Sequence, residues 1–242
     1  MDHTLKNDPK LTRFVEALSQ ALGDRLSAVV LYGSAARGDY TRTVSDFNVL
    51  VVLADTEPGT LERLKAPFEA WRRERQPVPR IFGRATVGAS ADVFPIEYLE
   101  ILQRHVVLHG SDPFEGMTVR PDYLRLQCER ELREKLMRLT EAYVEAHDAE
   151  KDLRRLMVES YSVFAAIFRG CLRLLGGEPP VATHDVVSHF CARAGVDVDA
   201  FHEIERLRHG GAPTVPAKAA FARYYRELER AVDRVDAFLV QT

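Results

Sequence analysis

The sequence predicts an α+β protein, with a mixed sheet and its helices in the N-terminal part and a helical bundle in the C-terminal part. Two observations carry this expectation. Up to about residue 110, short apolar runs alternate with stretches whose apolar residues recur at helical spacing; from Pro121 onward only helical spacing remains. Between the two regimes, Gly110-Ser111-Asp112-Pro113 marks a break, so the expected domains are residues 1–115 and 116–242. A chain of 242 residues is long enough to build two modest cores.

The elements follow in order. Leu11, Phe14, Val15, Leu18 and Leu22 form a helical stripe that Gly23-Asp24 ends. Residues 27–32 and 47–53 are apolar and rich in β-branched side chains, as buried strands are. Residues 60–75 read as one helix with Leu61, Leu64, Phe68 and Trp71 on one face, and Pro77-Val78-Pro79 interrupts it. Residues 78–83 read as a third strand, followed by a short helical piece near residues 89–92. Residues 94–101 and 105–109 read as two strands joined through Gln103-Arg104, with a helix over 97–103 as the alternative. In the second half, stripes such as Leu132, Leu136, Leu139, Tyr143 and Phe221, Tyr224, Leu228, Val232 predict successive helices.

Composition excludes several classes. A net charge of -3 provides no general basic field for nucleic acid, and Arg125, Arg130, Arg133 and Lys135 read as a solvated helix face. Cys128, Cys171 and Cys191 are far apart, which argues against a disulfide framework or a structural zinc and for buried small hydrophobes. His184 and His189 are five apart and His202 and His209 seven apart, so neither makes the i, i+4 pair of a helical zinc site. The polar first residues and the lack of a long apolar run predict no membrane association and a cytoplasmic location.

The informative segment runs from Leu31 to Leu53. An apolar strand delivers Gly33-Ser34 to a turn, and a second strand opens as Asp46-Phe47-Asn48. Strand alternation puts residues 46 and 48 on one face and Phe47 on the other. Side-chain oxygens at 46 and 48 would converge on a divalent cation, while the Gly-Ser turn offers N–H groups and a hydroxyl to phosphate oxygens. Each residue also has a plain structural role open to it: a tight turn for Gly33, a helix cap for Ser34, a turn cap for Asp46. Arg37, Arg42 and Arg80 are either phosphate contacts or solvated charges.

The run Leu31-Tyr32-Gly33-Ser34-Ala35-Ala36-Arg37-Gly38 followed by Ser45-Asp46 resembles the nucleotidyltransferase superfamily that includes DNA polymerase beta. In wording it is similar to the aminoglycoside and minimal bacterial nucleotidyltransferases. The resemblance implies a nucleotidyltransferase-type mixed sheet and transfer of a nucleoside monophosphate from an NTP, ATP first among them, to a hydroxyl of a small molecule or protein. It implies Gly33, Ser34 and Arg37 as nucleotide-binding residues, Asp46 and Asn48 as Mg²⁺ ligands, and Asp46 as catalytic. The chain departs from the pattern at two places. The second residue of the acidic pair is Asn48, and the strand expected to bring a third carboxylate has Arg80 at its middle. Glu97 is then the candidate base, ahead of Asp92 and Glu100. These departures leave a second reading open, a catalytically inactive nucleotide-binding or regulatory protein. A third is an interaction module whose helical half pairs with a partner or with a second copy in a homodimer.

Overall fold

The computed structural model describes residues 8–37, 47–146 and 150–238. Arg42, Ser45 and Asp46 lie outside the described residues. The chain divides into two compact units, Met1–Val119 and Arg120–Thr242.

In the first unit, helix α1 (Pro9–Leu22) starts where the Asp8 carboxylate accepts the Lys10 N–H at 2.8 Å and Pro9 supplies a preset φ. Its stripe Leu11, Phe14, Leu18 and Leu22 is buried. Strand β1 (Leu26–Tyr32) leads into the short helix α2 (Ser34–Arg37), and β2 (Asn48–Leu53) follows. The expected helix over 60–75 is two helices, α3 (Pro58–Arg63) and α4 (Lys65–Arg73). Pro67 explains the break, because it has no N–H for the Arg63 carbonyl and its ring crowds that group. Strand β3 (Arg80–Gly83) is followed by α5 (Arg84–Val87) and a 3₁₀ turn at Ala89–Ala91.

Residues expected as a strand over 94–101 instead form helix α6 (Pro95–Gln103), close to the alternative reading. Pro95 sits in its first turn, where its missing N–H costs nothing, and Glu97 in the same turn faces the positive end of the helix dipole. Tyr98 and Ile101, three residues apart, are the buried face. The hairpin therefore does not exist, and strand β4 (His105–Gly110) pairs with β1 instead.

The four strands lie in the order β3-β2-β1-β4. Strand β1 is antiparallel to β2 and β4, whereas β2 and β3 are parallel. Gly110 closes the β4 edge at φ +76, and a Cβ there would fall 2.0 Å from the Ser27 carbonyl oxygen. Each face of the sheet is covered. Leu31, Val49, Val51 and Leu53 pack on one side with α1, Phe47 and Trp71. Ala28, Val30, Leu50 and Val52 pack on the other with Val87, Tyr98, Ile101 and Phe114. A bulge between Leu26 and Ala28 shifts the alternation of β1, so that Leu26 and Val29 share a face.

A part-buried polar joint ties the 3₁₀ turn Gly23–Arg25, just before β1, to α3. The fully buried Thr60 accepts from Arg25 Nη1 at 2.7 Å and donates to Asp55 Oδ1 at 2.6 Å. The Thr60 hydroxyl, then the Glu57 N–H, hold the Asp55 carboxyl below its ordinary value of 3.8. A carboxyl lowered on folding stabilises above the unfolded value and loses that contribution as pH falls through the folded one. The stability difference between the wild type and Asp55→Asn is therefore expected to be full well above pH 3.8 and to shrink as pH falls through and below that value. Urea melts at several pH values measure this; a difference that does not change with pH would remove Asp55 from the joint.

The second unit is helical: α7 (Pro121–Glu145), α8 (Glu150–Leu174), α9 (Thr183–Ala194), α10 (Asp199–Arg208) and α11 (Ala217–Asp236). Its core joins Phe164, Phe168, Phe190, Phe201 and Tyr224. The basic residues of α7 are engaged within the bundle surface: Arg125 and Arg133 both meet Glu129 at 2.9 Å, and Arg133 also meets Asp236 at 3.0 Å. All three cysteines are free and buried, and burial pushes the Cys191 thiol up to about 12. Among the described residues, no helix is long and apolar enough to cross a membrane.

Candidate functional site

The strand register brings a polar group to one end of the sheet. Tyr32 closes β1 opposite Asn48, which opens β2, and opposite His105, which opens β4. Arg80, the first residue of β3, pairs with Leu50. Paired residues share a face and alternate residues return to it, so Tyr32, Asn48 and Arg80 stand on the side of Val30 and Leu50. Helix α6 covers this same side through Tyr98 and Ile101. Asn48 and Arg80 are exposed and Tyr32 is half-buried.

The base of β2 is fixed from behind. The Phe47 N–H donates to Gln76 Oε1 at 2.9 Å, and the Trp71 indole N–H donates to the Pro77 carbonyl at 2.9 Å. Phe47 is fully buried against Trp71 on the opposite face. This buried anchor sets the alternation that turns Asn48 to the open side.

At the turn, Gly33 has φ +77. A Cβ built there would lie 2.7 Å from Asn48 Nδ2, so the amide leans directly over the glycine. The left-handed backbone favours a residue without a side chain, and the amide would have to shift to admit one. Gly33→Ala is expected to destabilise the chain by about 1–2 kcal/mol, mainly from the backbone conformation, and to push the Asn48 amide aside. Chemical denaturation checks this, and a variant as stable as the wild type would contradict it. Ser34 and Arg37 begin and end α2, immediately after this turn.

Electrostatics link the group. Burial raises the Tyr32 hydroxyl above its usual pKa; the Arg80 cation opposes the rise, and Glu100 and Glu97 add to it. Tyr98 is likewise raised, first by burial, with Arg80 again opposing. Its hydroxyl donates to the Val87 carbonyl, which fixes the ring between α6 and α5. Arg80, Glu97 and Glu100 thus all act on one tyrosine. His105 has both ring nitrogens engaged, by the Ile101 carbonyl at 2.9 Å and by Asp112 Oδ2 at 3.0 Å, and braces α6 against β4.

Of the residues selected from sequence, Gly33 and Asn48 come into contact, and Glu97 reaches the same end of the sheet from a helix rather than from a strand. Asp46 lies outside the described residues. Tyr32 was not among the selected residues, although its position two after Val30 on an apolar strand and next to Gly33 is a readable signal. Among the described residues, no group of three His, Cys, Asp or Glu side chains could hold a metal ion. A magnesium cluster does not fit what is described here: residue 48 is an amide, residue 80 a cation, and Mg²⁺ prefers carboxylate oxygens.

Comparison with known proteins bears on the first unit and on the fold. The family model described as nucleotidyltransferase domain matches residues 11–118. No curated protein sequence matches the chain. Among solved structures, the chain is similar to the spectinomycin adenyltransferase AAD(9) from Enterococcus faecialis, a structure with ATP and spectinomycin. The TM-score is 0.52 at 11% identity, over 95% of this chain and 100% of that one, which is a likeness of fold. A mixed four-stranded sheet, the Gly33 turn at its open end and the family match together assign residues 11–118 to the nucleotidyltransferase superfamily.

Proposed function

We propose that the first unit binds a nucleoside triphosphate, ATP first among them, at the Gly33–Asn48 end of the sheet and transfers its nucleoside monophosphate to a hydroxyl. The acceptor belongs to a small molecule or a protein. The observation that carries this reading is the convergence of Gly33, Asn48, Arg80 and Glu97 on one open sheet end within a nucleotidyltransferase domain.

In the reaction, the acceptor oxygen forms a bond to the α-phosphorus, the bond from that phosphorus to the β-phosphate oxygen breaks, and pyrophosphate leaves. Backbone N–H groups after Gly33 hold phosphate oxygens, and Ser34 and Arg37 are the further nucleotide-binding residues of this segment. Asn48 offers its amide N–H to the same oxygens. Glu97, in the first turn of α6, takes the acceptor proton, with Glu100 one turn on as the other carboxylate that bears on Tyr32. Mg²⁺ would enter with the NTP as its Mg·NTP complex; Asp46 would be the carboxylate that holds it, and the ion would neutralise phosphate charge. Holding donor and acceptor in line supplies most of the rate gain that such a site can offer.

A second reading, nucleotide binding without turnover, is favoured by the amide at 48 and the guanidinium at 80. Pyrophosphate release from ATP and Mg²⁺, measured across a panel of hydroxyl acceptors that includes aminocyclitols and the chain itself, separates the two. Release that depends on an acceptor supports transfer. Saturable ATP binding with no release across the panel supports the binder.

A further inference from the structure

We infer that Arg80 is a triphosphate-binding residue, with its guanidinium neutralising phosphate charge on this sheet face where a carboxylate would instead recruit a second cation. The inference rests on the proposed nucleotide site and specifies how that site is charged.

Three observations carry it. The register pairs Arg80 with Leu50, and therefore puts it on the face that Tyr32 and Asn48 share, two strand positions deeper than Asn48. Its side chain is exposed, so the charge is available to a ligand. Tyr98 of α6 packs on this same face, and the Arg80 charge opposes the rise of both the Tyr32 and the Tyr98 hydroxyl. Asn48, over Gly33, adds neutral N–H donors to the same end.

Charge decides what such a site can take. A guanidinium presents a planar fork of donors that matches two phosphate oxygens, and it repels a divalent ion from its surroundings. Glu97 and Glu100 act on the same tyrosine as Arg80. Around Tyr32 the Arg80 cation is thus opposed by Glu97 and Glu100, with Asp112 engaged by His105 beside them, and the face disfavours a free triphosphate. The ligand that fits is a triphosphate already carrying one divalent ion, with Arg80 on the phosphates left uncovered. The site is thus a one-ion site completed by an arginine.

The test uses the full chain, with ATP affinity measured calorimetrically in Mg²⁺ and Mn²⁺ stoichiometry measured by electron paramagnetic resonance at saturating ATP. One Mn²⁺ per bound ATP is expected. Arg80→Gln is expected to weaken ATP binding roughly 10- to 100-fold, the range for loss of charged hydrogen bonds. Arg80→Lys should fall between, because it keeps the charge and loses the fork. Thermal melting of each variant guards against a folding effect, and an exposed position predicts little change. Two Mn²⁺ per ATP, or ATP affinity unchanged in Arg80→Gln, overturns the assignment and leaves the nucleotide site standing. Absence of ATP binding by the wild type overturns both.

Discussion

Asp46→Ala is expected to lower acceptor-dependent pyrophosphate release by roughly 10²–10³-fold or more, with little effect on melting temperature. The magnitude is that of removing one preorganised electrostatic contact to developing charge. The expectation is strong because the site is poorly supplied with acid. Residue 48 is an amide and residue 80 a cation, so the motif leaves Asp46 as its own carboxylate. Glu97 and Glu100 arrive from α6 and are offset by Arg80 at Tyr32. A site with two or three interchangeable carboxylates would tolerate the loss of one; this one should not. Asp46→Asn separates charge from shape, and it should be nearly as impaired as the alanine variant. If Asp46→Ala released pyrophosphate at the wild-type rate, Asp46 would have no part in the reaction.

The second large effect is on stability. Phe168→Ala is expected to destabilise the helical unit by about 3–5 kcal/mol, the range for truncating a buried aromatic. Phe168 in α8 is fully buried, with its ring stacked on Phe190 of α9 at 3.9 Å between centroids and edge-on to Phe201 of α10 at 5.8 Å. One side chain thus holds three helices together, and its loss leaves a cavity that none of the three can close without moving away from the others. Phe168→Leu keeps more of the volume and should cost less. Urea denaturation followed by circular dichroism measures both. A cost below 1 kcal/mol for the alanine variant would mean that the bundle repacks freely.

Much of this arrangement is readable in sequence, and the exceptions have identifiable causes. The apolar runs of β1 and β2 and the Gly33-Ser34 turn between strand and helix were legible because each is short, strongly patterned and bounded by a turn signal. Arg80 was legible as a strand residue, whereas its place on the Tyr32 face depends on the parallel pairing of β2 and β3, which sequence does not encode locally. Residues 94–101 misled because Phe94, Ile96, Tyr98 and Ile101 suit either period over so short a run, and tertiary packing of Tyr98 and Ile101 on the sheet decided for helix. That decision matters for the site, since it delivers Glu97 and Glu100 from one helix face and not from alternate sides of a strand. The break between α3 and α4 was signalled by Pro67, which the apolar stripe over residues 61–71 obscured.

The open end of the sheet, between Gly33, Asn48 and Arg80, is the proposed nucleotide site. A crystal structure of the chain with Mg²⁺ and an ATP analogue that cannot be cleaved between its α- and β-phosphates tests it most directly. Phosphate oxygens are expected within hydrogen-bond distance of the backbone N–H groups after Gly33 and of the Arg80 guanidinium. A nucleotide bound elsewhere on the chain, with Arg80 still facing solvent, would contradict it.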